Sequence, residues 1–322
     1  MIFSRYTPKR VQTPARTPWR LPVLLAAALV SLGLLMAPNG GGRTHVAEAL
    51  PPATPSPTPS PTPEPTPEPT PTPAPAFDFT RPAPEGTPVD MGYFADALFI
   101  GDSRTEGLRL YSGIQGAHFY CYKGITVFEM DTKAVIEMED GEKYTVLEAL
   151  ERGEKYAKIY ISLGVNELGA EAEIYEASFS EFLDQVKALQ PQAVIYLETV
   201  VPVNPAKCAA NKQPYYVTNE KVYAFNEVLP RLAEEKHVAL LDIAGFFSDE
   251  NGVLAEENTV DGVHFTKDIY QQWLAYLMNH TVDPAEYAAG QSLPPAPGGT
   301  EVPAGTPEVP PQETHQEGET RR

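Results

Sequence analysis

The chain has 322 residues, 34 of them prolines, and a formal net charge of −19. Its first 47 residues carry six cations and no acid, so the remainder bears −25. An acidic body of that kind repels phosphate backbones, which excludes nucleic acid as a partner, and its plainest consequence is solubility.

Five basic residues, Arg5, Lys9, Arg10, Arg16 and Arg20, lie in residues 1–20, which read as a cytoplasmic basic segment. Residues 21–37, "LPVLLAAALVSLGLLMA", then run without a charge. Seventeen residues are at the short limit for a membrane span, so the run is a secretory signal or an anchor. The small-residue site Ala47-Glu48-Ala49 lies far beyond it, which favours an uncleaved single-pass anchor over a secreted product. Either way the basic flank stays inside and the body is expected outside the cytoplasm. Residues 38–88 form a linker whose Pro-Thr repeat should be extended polyproline II, reaching on the order of 80 Å. Residues 288–322 are rich in Pro, Gly, Glu and Thr and are expected to be disordered. Between these flanks, residues 89–287 are long enough for one domain with one sizeable core.

Within that domain short apolar runs alternate with helical periodicity. Strands are predicted over Ala97–Ile100, His118–Tyr122, Lys158–Leu163, Val194–Thr199 and Val238–Asp242. Their Ile, Val, Leu and Tyr content suits parallel strands buried on both faces. Helices are predicted over Thr105–Tyr111, Thr145–Lys155, Tyr175–Leu189, Glu220–Glu235 and Thr266–Asn279, with a hairpin around Asp140-Gly141 before the second. Repeated βα units imply a three-layer α/β/α fold on a mostly parallel five-stranded sheet. Sites in such sheets form beyond the carboxyl ends of the strands.

Four polar elements fall at those ends: Gly101-Asp102-Ser103, Lys123-Gly124, "LGVNELG" with Gly164 and Asn166, and "DGVHF" with Asp261 and His264. Acyl transfer needs such a set. A serine hydroxyl is a weak nucleophile and requires a base. An imidazole suits that role, and a carboxylate orients it. Donors must meet the oxyanion. Ser103 as nucleophile, His264 as base, Asp261 as orienting acid, and the N–H groups of Ser103 and Gly124 with the Asn166 amide would fill these roles. Taken singly each has a plainer meaning. Ser103 could be a helix N-cap, with Glu106 completing a capping box. Asn166 and Gly124 could be turn residues. Asp102 is expected to stabilise its loop. The chain has no HExxH, no Cys/His cluster and no G-x-S-x-G, so no metal or cofactor is implied. Outside the cell Cys121 and Cys208 could pair, and sequence leaves that open while favouring two unpaired thiols.

The ordered set resembles the SGNH, or GDSL-type, hydrolase superfamily, in bacterial exported form. Its GDS block is matched by Gly101-Asp102-Ser103, and its second-block glycine by Gly124. Gly164-Val165-Asn166-Glu167 stands for G-x-N-D, and Asp261-Gly262-Val263-His264 for D-x-x-H. The resemblance covers residues 95–281 and implies a flavodoxin-like sandwich and ester hydrolysis by Ser103. Two positions depart from the pattern: Arg104 where the family often has leucine, and Glu167 where it has aspartate. Neither supplies the nucleophile, the base or an oxyanion donor.

An exported enzyme on a spacer meets surface glycans first, so the expected partner is an acylated glycan and the expected reaction removal of its O-acetyl groups. The alternatives are a lipase, lysophospholipase or thioesterase, an acetyltransferase to a glycan hydroxyl, and a binding module without catalysis. The segment Val201–Val217, with Tyr215 and Tyr216, could line either a sugar site or an acyl site.

Overall fold

Five apolar segments pair in the order β2-β1-β5-β6-β7, every neighbour parallel. They are β1 Ala97–Gly101, β2 His118–Cys121, β5 Lys158–Ser162, β6 Val194–Glu198 and β7 Ala239–Leu241. The computed structural model describes residues 75–292. The basic segment, the apolar run, most of the Pro-Thr repeat and the C-terminal tail lie outside the described residues. Two further strands, β3 Ile136–Glu137 and β4 Lys143–Tyr144, form the small antiparallel hairpin expected around Asp140-Gly141.

Alternation along the strands sorts the core into two layers. Leu98 and Ile100 of β1, Ile159 and Ile161 of β5, and Ile195 and Leu197 of β6 face one side. There they pack against α2 Val146–Arg152, α3 Ala172–Leu189 and α5 Asn219–Lys236. Ala97 and Phe99, Tyr160, Tyr196 and Leu241 face the other side, against α1 Ser103–Tyr111, α6 Ile243–Phe247, α7 Lys267–Asn279 and α8 Pro284–Gln291. On that second face Phe119, Phe99, Tyr160 and Tyr196 occupy one register row across four strands. Their rings stack with centroids 4.9, 4.7 and 4.5 Å apart. Offset aromatic stacks of this spacing add to the area they bury. The architecture is the expected three-layer α/β/α sandwich with flavodoxin-like strand order.

The chain reverses its direction of growth between β1 and β5. That switch point leaves a crevice beyond the carboxyl ends of the two strands. Ser103 follows β1 there, and Gly164 to Glu167 follow β5.

The packed chain extends past 89–287 at both ends. Phe79 is buried, stacks on His237 at 5.0 Å and meets Tyr287 edge-on at 5.4 Å. The Ala83 N–H donates to the Leu240 carbonyl, so this segment covers the outer edge of β7. The Pro-rich composition of residues 38–88 concealed those anchoring side chains. At the other end α8 continues to Gln291, with the Tyr287 hydroxyl accepting the Ile195 N–H at 3.3 Å. Helix α4, Pro205–Ala210, also interrupts what reads in sequence as a loop.

Candidate active site

Gly101 ends β1 because nothing larger fits. A Cβ there would lie 2.0 Å from Thr105 Oγ1 and 2.6 Å from the Ser162 carbonyl. The close approach lets the chain turn at once into α1. The cap of that helix is Asp102, not Ser103. Asp102 is extended (φ −98°, ψ −151°), and its Oδ1 accepts the Arg104 N–H at 2.8 Å. The alternative reading of Ser103 as an N-cap boxed by Glu106 is therefore not what the helix uses. Because Asp102 satisfies the helix end, the Ser103 hydroxyl is left for another partner.

That partner is His264. Ser103 Oγ stands 3.0 Å from His264 Nε2, and His264 Nδ1 stands 2.8 Å from Asp261 Oδ2. The loop before α7 presents both side chains, as the three-residue spacing suggests. Asp261 Oδ1 accepts the N–H of His264 at 2.8 Å and of Val263 at 3.0 Å. Burial raises the Asp261 carboxyl, but these donors and the imidazole outweigh it and hold the group below its ordinary value. An ionised Asp261 accepting from Nδ1–H leaves Nε2 free to accept the serine proton. Gly262 makes the turn possible with φ +98°, and a Cβ there would lie 2.5 Å from the Cys208 nitrogen. Thr259 Oγ1–H and the Val260 N–H both donate to the His264 carbonyl, at 2.7 and 2.8 Å.

The oxyanion side is less simple than the sequence suggests. Among the described residues, the N–H groups of Ser103 and Gly124 are paired with no protein acceptor. Both are thus available, and that of Ser103 opens α1, where the helix dipole favours negative charge. Asn166 differs. Its Nδ2 donates to Asp102 Oδ2 at 3.1 Å and to the Ile125 carbonyl at 3.2 Å. Both amide hydrogens are engaged, so an oxyanion has to take one of them over. Burial raises the Asp102 carboxyl, and the neighbouring Arg104 opposes it.

Two buried ionisable groups were not assigned roles from sequence. Glu167 is fully buried, and its Oε1 accepts the Val127 N–H at 2.7 Å, tying the β5 loop to the segment after Gly124. Burial pushes its carboxyl up to about 8, against the pull of that donor. Arg104 turns inward beneath the site instead of facing solvent, and burial lowers its guanidinium while Asp102 opposes the shift. A charged residue in a first helical turn carries no sequence signal of burial. The one available hint was its occupation of a position where the resembled family often has leucine.

Beside Asp102 and Arg104 lies a small cavity of about 10 Å³, also touched by Ser162, Thr199 and Trp273. That is room for about one water. A shallower hollow of about 300 Å³ lies beside α4, lined by Val203, Cys208, Pro214 and Tyr215. Tyr215 is 93% exposed, while the Tyr216 ring packs on Gly169 of the β5 loop. Cys121 and Cys208 are both free thiols. Among the described residues no group of three or more His, Cys, Asp or Glu could hold a metal ion.

A family model described as the GDSL-like Lipase/Acylhydrolase family matches residues 99–272. Among curated proteins there is no match. A solved structure from Streptococcus pneumonia is 23% identical, covers 56% of this chain and 81% of its own, and gives a TM-score of 0.47. A GDSL-like lipase from Bacteroides thetaiotaomicron VPI-5482 is 16% identical over 60% of this chain and 91% of its own, with a TM-score of 0.43. The lipase/acylhydrolase from Enterococcus faecalis is 13% identical over 56% and 93%, with a TM-score of 0.40.

Proposed function

The chain belongs to the GDSL-like Lipase/Acylhydrolase family, and from that premise we propose that it is a serine esterase with Ser103 as nucleophile, His264 as general base and Asp261 as the group that orients the imidazole. The observation that carries this reading is the unbroken hydrogen-bond chain from Ser103 Oγ through His264 to Asp261.

The chemistry follows from those contacts. Ser103 Oγ attacks the ester carbonyl carbon while His264 Nε2 takes its proton. The oxyanion of the tetrahedral intermediate meets the N–H groups of Ser103 and Gly124, and the Asn166 amide as it releases an acceptor. Collapse of the intermediate breaks the bond to the alcohol, which leaves with the proton held by His264. Water then attacks the acyl-Ser103 ester, His264 again accepts the proton, and the free acid departs as the hydroxyl is restored. Asp261 fixes the Nδ1–H tautomer throughout and stabilises the transient imidazolium.

The substrate we propose is an O-acetylated glycan, met outside the cell. Support comes from the basic flank and apolar run of the N-terminus, which fit a body carried outside the cytoplasm. A long acyl chain would need an extended apolar groove. The exposed ring of Tyr215 beside the α4 hollow offers a surface on which a sugar can stack. One observation favours a more lipid-like ester instead. Tyr122 is 42% and Val260 64% exposed, and they adjoin Lys123-Gly124 and Asp261 in the chain.

A series of p-nitrophenyl esters decides between the two. Acetyl turnover above butyryl and octanoyl, lost in Ser103→Ala without loss of fold, is the expected result. Octanoyl turnover well above acetyl would replace the deacetylase reading with the lipase reading.

A further inference from the structure

We propose that Arg104 is a positioning residue for His264: from the first turn of the helix that Ser103 begins, its guanidinium holds the loop carrying the base in register with the nucleophile. The proposal rests on the serine-esterase reading above.

Arg104 is 4% exposed. Its Nε donates to the Val263 carbonyl at 3.0 Å, and its Nη1 to the Val201 carbonyl at 2.8 Å. The guanidinium carbon also lies over the Phe265 ring, 4.7 Å from the centroid. Val263 and Phe265 are the residues immediately before and after His264. One side chain thus grips both neighbours of the base, and its own backbone immediately follows the nucleophile. The third contact, to Val201, adds the loop after β6 to the same clamp.

Burying a cation is costly unless its donors are used and a counter-charge is near. Asp102 supplies the charge, Nε and Nη1 are both used, and Nη2 alone has no protein acceptor. An apolar side chain would fill this space without the desolvation cost, so packing alone does not account for an arginine. What the guanidinium adds is a planar fork whose two N–H directions reach two carbonyls on different loops. Neither carbonyl would have that donor without it.

Apart from the Ser103–His264 contact itself, the other hydrogen bonds of the base loop named here do not run to the helix of the nucleophile. Thr259 and Val260 hold the His264 carbonyl from within the loop itself. The Gly262 carbonyl accepts from Asn204, at the start of α4. Arg104 therefore links the loop across to α1. The link matters because the contact it protects is narrow. Ser103 Oγ and His264 Nε2 stand 3.0 Å apart, and a shift of about 1 Å at such a pair can cost roughly 100-fold in rate.

The test compares full-length wild type with Arg104→Met, Arg104→Gln and Arg104→Lys. A fluorophosphonate is taken to its labelling endpoint to count competent sites. Then kcat and KM on p-nitrophenyl acetate are expressed per counted site, with Tm measured alongside. Arg104→Met is expected to lose roughly 30- to 100-fold in kcat per site, with KM within about twofold. Its rate of labelling should fall in step with kcat. Arg104→Lys, which offers a point donor rather than a fork, should fall between wild type and Arg104→Met. A purely structural role would lower Tm and the number of sites but leave kcat per site unchanged. A value for Arg104→Met within twofold of wild type overturns the proposal, whatever its Tm. If Arg104→Met does not fold, the same criterion applies to Arg104→Gln. Wild-type protein that hydrolyses esters yet takes no label at Ser103 would overturn the serine reading itself, which separates the two failures.

Discussion

At the site, Ser103, His264 and Asp261 differ in how replaceable they are. In the proposed mechanism His264 Nε2 is the acceptor facing the serine hydroxyl, so its removal would leave proton transfer without a base. Asp261 acts through two oxygens: Oδ1 holds the loop N–H groups and Oδ2 holds the imidazole. An asparagine retains one acceptor oxygen and so part of that hold. His264→Ala is therefore expected to lose roughly 10³-fold or more in kcat, and Asp261→Asn less. Steady-state rates of both variants on an acetyl ester check the order, and a His264→Ala enzyme with full activity would remove His264 from the mechanism. Ser103 was legible in sequence because it follows a short apolar run, and Asp261 and His264 because they lie three apart just before the last helix. The contacts of Asn166 were not. Its amide is committed to Asp102 and Ile125, and that pairing depends on three loops meeting, which no local spacing records.

Among the elements, β1 and α1 are joined with almost no slack. Gly101 sits where a Cβ would strike Thr105 of the helix and the Ser162 carbonyl of β5. Gly101→Ala must push α1 away from the sheet and carry Ser103 with it. The expected cost is about 1–3 kcal/mol of stability, accompanied by a loss of kcat larger than the stability change explains. Denaturant unfolding and kcat per labelled site test the two parts separately, and unchanged values of both would show that the turn has room to spare. The long elements were readable to within a few residues because their periodicity and burial agree. Phe179, Phe182 and Val186 line one face of α3, and all three are buried. The short ones were not. Helix α4 depends on Asn204 as cap and Pro205 at its first turn, and α6 on the Asp242 cap. Six- and five-residue helices have too few turns to show a period. Arg104 was missed for a related reason, since burial of a single charged side chain is decided by tertiary partners.

Over the whole molecule, buried carboxyls make stability depend on pH. Burial pushes both Glu167 and Glu198 up to about 8. Unfolded glutamate titrates near 4.3. Between those values the native chain keeps protons that the unfolded chain has released. The stability they contribute is thus full below about pH 4.3 and is lost as pH rises through about 8. The denaturant midpoint is expected to fall from pH 5 to pH 9, with a shallower fall in Glu198→Gln, whose amide mimics the neutral acid. Identical slopes in the two proteins would mean that Glu198 is not protonated in the native state. The ends of the packed chain bear on presentation. Phe77 donates to the Glu286 carbonyl and Gln291 to the His237 carbonyl, so both meet near the amino end of β7. The proposed catalytic edge lies at the carboxyl ends of the strands. Protease added to intact cells is expected to cut the body loose if the N-terminal run is an anchor, and full protection in the cytosolic fraction would exclude export.

Activation of Ser103 by His264 is tested most directly by peptide mapping after timed exposure of the folded, full-length protein to a fluorophosphonate. A phosphonyl group is expected on Ser103 in the wild type, with no detectable label in His264→Ala over the same interval. Label on another residue, or an unlabelled Ser103 in protein that still hydrolyses acetyl esters, would contradict it.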